Sequence, residues 1–552
     1  MNKKSSKDNF IMQAGILAAA GIISRIIGLL YRSPLQRVIG DLGMGYYSSA
    51  YNYYTIILLI SSYSIPSAIS KVIAQKLAVR EYRNAHRIFK CALWYVLAVG
   101  GVASLFLFFG AGLFVAPEAV PVLRTFAPTV FVYGILGVLR GYFQAHKSMA
   151  QTSVSQVLEQ VANAIVSIGA ACLLILFAYH TLEVPEDVAG QVERATKGAV
   201  GSALGTGAGV LVALLFMAGI YKLNKGMIDR RVRRDIYGEV DSYGSILKMI
   251  TLVVTPFILS TAIYNLSSVV NNAIYTKFFL ERRAMDTVTI HSRWGIFSTQ
   301  ALTISNIPIA FASAMAAAMI PTVAQHAAAG DLRGAREKTG LAVKTTMIIS
   351  IPCAVGIFTL ARPITALLFY NGREAEDLAT GLLMALAVSV IFYALSTLNS
   401  QILQGLGQLN APIINAAIAL VLQTVSAMLL LTFTGLDLYA IVVANVLYSV
   451  TMAILNQAAV RRASGYRQEY LRTFGIPLVA SALMGGVARA VYEGLLLLTD
   501  SPGFSVIPAI MLGACVYFVF LILFRGVSET ELRSFPKGHL LVKLAKKCRL
   551  MK

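Results

Sequence analysis

The stretch FIMQAGILAAAGIISRIIGLLY, residues 10–31, decides the fold class. It is long enough to cross a bilayer, which takes about 20 mostly apolar residues. Arg25 stands inside it rather than at its edge. An arginine near the middle of a span costs roughly 2.5–3.5 kcal/mol, so such a residue faces a watery cavity or a partner. The reading is therefore a span that borders a pathway or an anionic substrate. Lys3, Lys4 and Lys7 precede the apolar run as they would in a signal peptide. The run continues past Ala18, Ala19 and Ala20 to Tyr31, which favours a retained span.

Moving outward, the whole chain has the same character. Of 552 residues, 57% are hydrophobic and 13% charged. The mean hydropathy is +0.70. Soluble domains carry about 25% charged residues. The apolar runs are long and continuous, not the alternating segments of about ten residues that build an outer-membrane barrel. Cys91, Cys172, Cys353, Cys515 and Cys548 show no paired spacing, so neither a zinc site nor a disulfide framework is expected. A phosphate-binding loop of the Walker type is absent, as is any convincing catalytic triad. The expectation is a non-enzyme without metal or bound cofactor, with use of a coupling ion or the membrane potential left open.

Fourteen spans fit the hydropathy: 10–31, 46–75, 88–115, 121–143, 155–180, 198–221, 246–276, 294–325, 341–361, 378–404, 411–433, 438–460, 474–498 and 505–525. With the N-terminus in the cytoplasm, the tails and even-numbered loops hold about three times as many of the 47 Lys and Arg residues as the odd-numbered loops. This predicts a multi-pass plasma-membrane protein with both termini inside. It also accounts for the net charge of +21 without a nucleic-acid partner. Arg230, Arg231, Arg233 and Arg234 read as an anchor near anionic lipid. The acidic loop with Glu183, Glu186, Asp187 and Glu193 falls outside.

The chain repeats itself. Gly45-Tyr46-Tyr47-Ser48-Ser49 matches Gly295-Ile296-Phe297-Ser298-Thr299. Ala74, Gln75, Ala78, Glu81, Arg83 and Ala85 match Ala324, Gln325, Ala328, Asp331, Arg333 and Ala335. Both matches share one offset of 250 residues. Gln144 and Gln404 form a weaker echo at 260. Six spans per repeat give two copies of the same orientation, the parallel arrangement of several transporters. The predicted fold is an all-α polytopic membrane protein. It has two six-helix lobes, residues 1–240 and 241–465, followed by two C-terminal helices and a basic tail, 466–552.

Candidate pathway residues follow from helical spacing. Gly21, Arg25, Gly28 and Arg32 share one face of span 1, with the glycines opening room beside the guanidinium. Lys71 follows Ser64 and Ser67 on span 2, near the end where an anchoring role competes. Tyr264, Ser268, Asn271 and Tyr275 line one face of span 7, with Asn265 and Asn272 beside them. Thr299, Gln300, Thr303 and Asn306 mark span 8. The substrate-contact set is thus Arg25, Arg32, Lys71, Asn271, Asn272 and Gln300. Pro66, Pro308 and Pro321 are positioned to break or bend helices. Gly201, Gly205 and Gly209 read as a close-packing stripe. No span centre carries a clear Asp or Glu, Glu159 being placed near the start of span 5.

These residues resemble a family. Ser24-Arg25-Ile26-Ile27-Gly28-Leu29-Leu30-Tyr31-Arg32-Ser33-Pro34-Leu35 is similar to the first-span signature of the MurJ-type flippases, and most of all to the stage V sporulation protein B and polysaccharide-biosynthesis branch. Gly43-x-Gly45-x-Tyr47, Ala50-Tyr51, Ile65 to Lys71, Tyr82 to Ala85, Arg140-Gly141-Tyr142-Phe143-Gln144 and Gln404-Gly405-Leu406-Gly407 extend the likeness over spans 1–12. The resemblance implies a fold of the multidrug/oligosaccharidyl-lipid/polysaccharide exporter superfamily. It implies a flippase for lipid II, an undecaprenyl-pyrophosphate-linked cell-wall precursor, or for another lipid-linked oligosaccharide, in cell-wall and cell-shape physiology. A small-molecule exporter of the multidrug class is the third reading. Implied partners are the lipid-linked substrate, the bilayer and cell-wall synthesis proteins. Arg25 matches a family cavity arginine that is thought to hold pyrophosphate. Arg32 lies one residue after the usual second arginine, and the family's span-8 arginine is replaced within Ser298-Thr299-Gln300-Ala301-Leu302.

Overall fold

A computed structural model describes residues 20–527 except for 64, 147, 234, 236–239, 311, 314–322, 324–325, 327–329, 370–371, 409 and 500, together with residues 529, 543 and 546. The described residues are helical, without strands. They fall into two compact units, Met1–Thr299 and Gln300–Lys552.

The first unit contains α1 (Ala20–Leu30), α2 (Arg32–Leu58), a π-helical turn (Leu59–Tyr63), α3 (Ile65–Ala78), α4 (Tyr82–Gly110), α5 (Val120–Ala145), α6 (Met149–Tyr179), α7 (Val188–Arg233), α8 (Tyr243–Arg282) and α9 (Thr287–Gly295). A second π-helical turn, Ile296–Ala301, continues as helix through 310. The second unit contains α10 (Leu332–Thr359), α11 (Ala361–Leu368), α12 (Arg373–Gly405), α13 (Asn410–Phe433), α14 (Leu438–Ser464), α15 (Ile476–Thr499) and α16 (Pro502–Leu523).

Ten of the described helices are long and apolar enough to cross a membrane. They coincide with predicted spans 3–6 and 9–14. Predicted span 1 continues into residues 10–19, outside the described set, as do Ser64, Pro321, Ala324, Gln325 and Ala328; the side chains of Ser67 and Tyr264 are outside it too. Span 2 falls on α2, its π turn and α3, so the helix departs from regular α geometry over Leu59–Tyr63, just ahead of Pro66. Large apolar side chains such as Phe109, Leu113, Phe177 and Leu497 are exposed. That is the surface a helix presents to lipid, where backbone groups are satisfied internally and side chains need no cover.

Close packing follows the glycines. A Cβ at Gly201, Gly205 or Gly209 of α7 would enter the backbone of α6 at Ala171, Ser167 or Glu159. The expected glycine stripe is therefore the α6–α7 seam. Gly40 sits at φ +70 inside α2 and kinks it, a conformation that costs glycine little. In the second unit, α15 and α16 dock on α10, where the Tyr517 hydroxyl donates to the buried Ile348 carbonyl at 2.7 Å.

The sequence repeat has a structural meaning at two places. Gly45 of α2 and Gly295 of α9 lie against each other's helices: a Cβ on Gly45 would strike the His291 carbonyl, and one on Gly295 would strike that of Asp41. Asp41 and His291 are themselves repeat counterparts. Ser298 Oγ donates to Ser48 Oγ at 2.8 Å, one full repeat away. Residues paired with their own counterparts make this crossing locally two-fold. The second place is the turn before span 3 and before span 9. Lys76 Nζ meets Glu81 at 2.7 Å, and His326 Nδ1 meets Asp331 at 2.9 Å. The N–H of Glu81 bonds the Lys76 carbonyl, and the N–H of Asp331 bonds that of His326, both at 3.0 Å. The hydrogen bond from Lys76 holds the Glu81 carboxyl below the usual range, and the Gly334 N–H does the same for Asp331.

Candidate functional site: a cationic, tyrosine-walled cavity in the first unit

A cavity of about 410 Å³ opens among α1, α2, α5, α6, α7 and α8. From α2 it takes Tyr47, Tyr51, Tyr54 and Leu58, which recur at three- and four-residue steps and so share a face. From α6 come Glu159, Gln160 and Asn163. Gly28 of α1 leaves open space at the wall, where a Cβ would sit 3.6 Å from Gln160 Oε1. Arg32, at the start of α2, and Asn265 of α8 complete the polar lining.

The wall is polar but ordered. Asn163 Oδ1 accepts from Ser167 Oγ at 2.9 Å and from Thr206 Oγ1 at 3.5 Å. The Tyr47 hydroxyl lies 3.3 Å from Thr206 Oγ1. Tyr47 stacks on Tyr51 with centroids 5.7 Å apart, and Tyr54 on Phe126 at 4.7 Å. Behind the wall, Arg140 of α5 is buried; its Nη2 donates to Glu159 Oε2 at 2.7 Å and its Nε to Ser155 Oγ at 2.9 Å. The one carboxylate lining the cavity among the described residues is thus answered by Arg140, and Arg32 adds a second positive charge. A guanidinium can grip phosphate through paired hydrogen bonds. Amide groups, hydroxyls and aromatic faces beside it match the hydroxyls and ring faces of a sugar.

Of the six residues expected to contact substrate, Arg32 lines this cavity. Arg25 is exposed, on the same helical face as Gly28 and two turns before Arg32, and makes no hydrogen bond or ion pair with a described side chain. Lys71 is exposed on α3, away from the cavity lining. Asn271 and Asn272 are buried in α8; Thr276 donates to Asn272 Oδ1 at 3.2 Å, and Asn271 Oδ1 has no partner among the described residues. Gln300 is fully buried in its π-helical turn. Asn265, flagged only as a neighbour, is the α8 amide that reaches the cavity.

Sequence reading missed Gln160, Asn163 and the tyrosine face, and it placed Glu159 near the start of span 5 without a role in the site. The structure puts Glu159 in the cavity wall. α6 starts at Met149, so Glu159 stands ten residues along it, roughly 15 Å at 1.5 Å per residue. The available signal was Glu159, Asn163 and Ser167 at four-residue steps, polar positions that apolar neighbours concealed.

Comparisons with known proteins agree with this architecture. A polysaccharide biosynthesis protein family model matches residues 11–184, and a MatE family model matches residues 298–429. Lipid II flippase MurJ of Bacillus subtilis (strain 168) is 24% identical over 89% of this chain and 89% of its own length. Stage V sporulation protein B of the same organism is 24% identical over 98% of this chain and all of its own. A solved structure of lipid II flippase MurJ in an inward closed conformation superimposes with a TM-score of 0.64 at 15% identity, covering 92% of this chain and 98% of the other. Two of these three are named as lipid II flippases. The chain is accordingly similar to MurJ and stage V sporulation protein B over most of its length, and it shares the all-helical membrane fold of the solved MurJ structure.

Proposed function

We propose that the protein flips an undecaprenyl-pyrophosphate-linked glycan, the peptidoglycan precursor lipid II, from the inner to the outer leaflet of the plasma membrane by alternating access. The observation that carries this reading is the cavity in which Arg32 stands beside tyrosines, amides and hydroxyls. A pyrophosphate-sugar head cannot cross about 30 Å of hydrocarbon unaided. A hydrated wall with cationic groups lowers that barrier, while the polyprenyl tail stays in lipid. Arg25, exposed on the face that leads to Arg32, is the first contact for the pyrophosphate, and Arg32 the deeper one. Glu159 removes the simplest argument against a multidrug exporter, but its pairing with Arg140 leaves the wall with more positive than negative charge, which suits an anionic cargo. Cycling would draw on a coupling ion or the membrane potential, and cell-wall synthases are the fitting partners.

A second reading, a flippase for another polyprenyl-linked oligosaccharide, is favoured by the stretch Ser298-Thr299-Gln300-Ala301-Leu302, which holds no counterpart to the span-8 arginine that the resemblance implies. One experiment separates the two. The host's own lipid II flippase is depleted, this chain is expressed, and lipid II exposed on the outer leaflet is measured with cell survival. Restored exposure that is lost in Arg32→Ala and Arg25→Ala supports the first reading. No rescue despite confirmed membrane insertion transfers the proposal to another lipid-linked sugar. Full activity in both variants at matched expression overturns the arginine assignment.

A further inference from the structure

The second unit holds a separate cavity of about 900 Å³ at the C-terminal end of α14. Arg461, Arg462 and Arg467 line it, all exposed; among the described residues the wall holds no acid, Glu469 standing nearby in the same turn. None of the three forms an ion pair among the described residues.

Arginines at a helix C-terminus have an ordinary explanation in the helix dipole and in the excess of basic residues on one side of the membrane. That explanation covers Arg461 and Arg462 but not the folding of the next residues. α14 ends on Gly465 at φ +72, whose N–H bonds the Arg461 carbonyl at 2.8 Å and whose left-handed conformation turns the chain back. Arg336 Nε donates to the Ser464 carbonyl at 2.6 Å. Gln468 Nε2 and Asn399 Nδ2 both donate to Gln457 Oε1, at 2.8 and 2.9 Å. The turn tied in this way brings Arg467 into the same wall as Arg461 and Arg462. Away from that end, Val443, Leu447, Ile454 and Ala458 recur on one exposed apolar face of α14. Tyr470 and Leu471, both more than 70% exposed, flank the opening as interfacial side chains do.

We propose that this cup binds the phosphate of an acidic phospholipid, with an acyl chain laid along the apolar stripe of α14. Basic pockets between membrane helices take anionic head groups through this chemistry, each nearby Lys or Arg adding its own attraction. Three guanidiniums in one wall offer the phosphate oxygens several donors. The stripe supplies what a soluble anion would not use. Binding does not depend on the flipped substrate. In the orientation proposed above, the C-terminal end of α14 faces the cytoplasm, so the phospholipid is one of the inner leaflet.

The test uses the full-length protein purified in detergent. Phosphatidylglycerol, phosphatidylcholine and inorganic phosphate are titrated separately, and bound lipid is read by native mass spectrometry. Thermal melting checks that every variant is folded. Phosphatidylglycerol should bind at least about tenfold more tightly than phosphatidylcholine, a factor worth 1.4 kcal/mol. The combined Arg461→Gln, Arg462→Gln and Arg467→Gln variant should lose that preference. An equal loss of charge at the exposed Lys277→Gln, Arg282→Gln and Arg283→Gln, at the C-terminal end of α8, should leave it intact. The arginine-to-lysine version of the first set should recover part of it, since charge returns without the fork. Equal loss in both glutamine variants would reduce the effect to general surface charge and overturn the site. So would an unchanged preference in the first variant, or displacement of the lipid by phosphate alone at comparable concentration.

Discussion

Arg140 and Glu159 form an ion pair whose side chains are 5% and 16% exposed. A buried pair contributes little net stability, because desolvation cancels most of the attraction. Removing one partner is different, since the other charge is left without an answer. Glu159→Gln should therefore destabilise the protein by about 3 kcal/mol, the lower end of what a broken buried pair costs. Arg140→Met combined with Glu159→Leu should recover most of that, because the cavity keeps Arg32 and loses one charge of each sign. Thermal melting in detergent checks both, and a double variant as unstable as the single one would refute the account. Residue identity along α6 could not reveal this pair. Helical spacing assigns a residue to a face, but depth depends on where the helix starts, and α6 begins six residues before its apolar stretch was expected to. The same limit separates Arg25 from Arg32. Both share a face, and only the folded position of α2 shows which one meets the tyrosines.

Helices and their turns show how far a repeat can be read. The matched residues Glu81 and Asp331 were visible because their types are alike. Their role was not: each stands at the start of the next helix, with Asp331 accepting the Gly334 N–H at 2.8 Å. Between the repeats the residue just before the cap differs. Arg80 has φ +64 and Gly330 has φ +72. The first copy thus holds an arginine in a conformation the second copy gives to glycine. A left-handed non-glycine residue costs roughly 1–2 kcal/mol. Glycine gives part of that back through its greater freedom in the unfolded chain. Arg80→Gly should stabilise the protein by about 0.5–1 kcal/mol and raise its melting temperature slightly. A lower melting temperature would mean that the arginine side chain contributes more than its backbone costs. The glycine stripe of α7 was legible because its spacing alone specifies close approach. Of the two π-helical turns, Leu59–Tyr63 lies just ahead of Pro66, which lacks an N–H for the regular ladder, whereas Ile296–Ala301 contains no proline or glycine to announce it.

Orientation is a property of the whole molecule, and one helix carries enough charge at its two ends to test it. α7 has 46 residues. At 1.5 Å per residue it extends roughly 70 Å, about twice the hydrocarbon thickness, so it must project from the bilayer. Its first turns follow the loop that bears Glu183, Glu186 and Asp187, and include Glu193. Its last turns bear Lys222, Lys225, Arg230, Arg231 and Arg233. Basic residues close to a span remain on the cytoplasmic side, while acidic ones have little influence. The basic end should therefore lie inside and the acidic loop outside. In a variant with the five native cysteines replaced, Glu186→Cys should react with a membrane-impermeant maleimide in intact cells. Arg230→Cys should react only after permeabilisation. The opposite pattern would invert the topology, and with it the direction in which a substrate bound at Arg32 is carried. Labelling of both sites in intact cells would show that α7 does not cross the membrane, and the cavity formed by α2, α6 and α7 would then no longer be a pathway between leaflets.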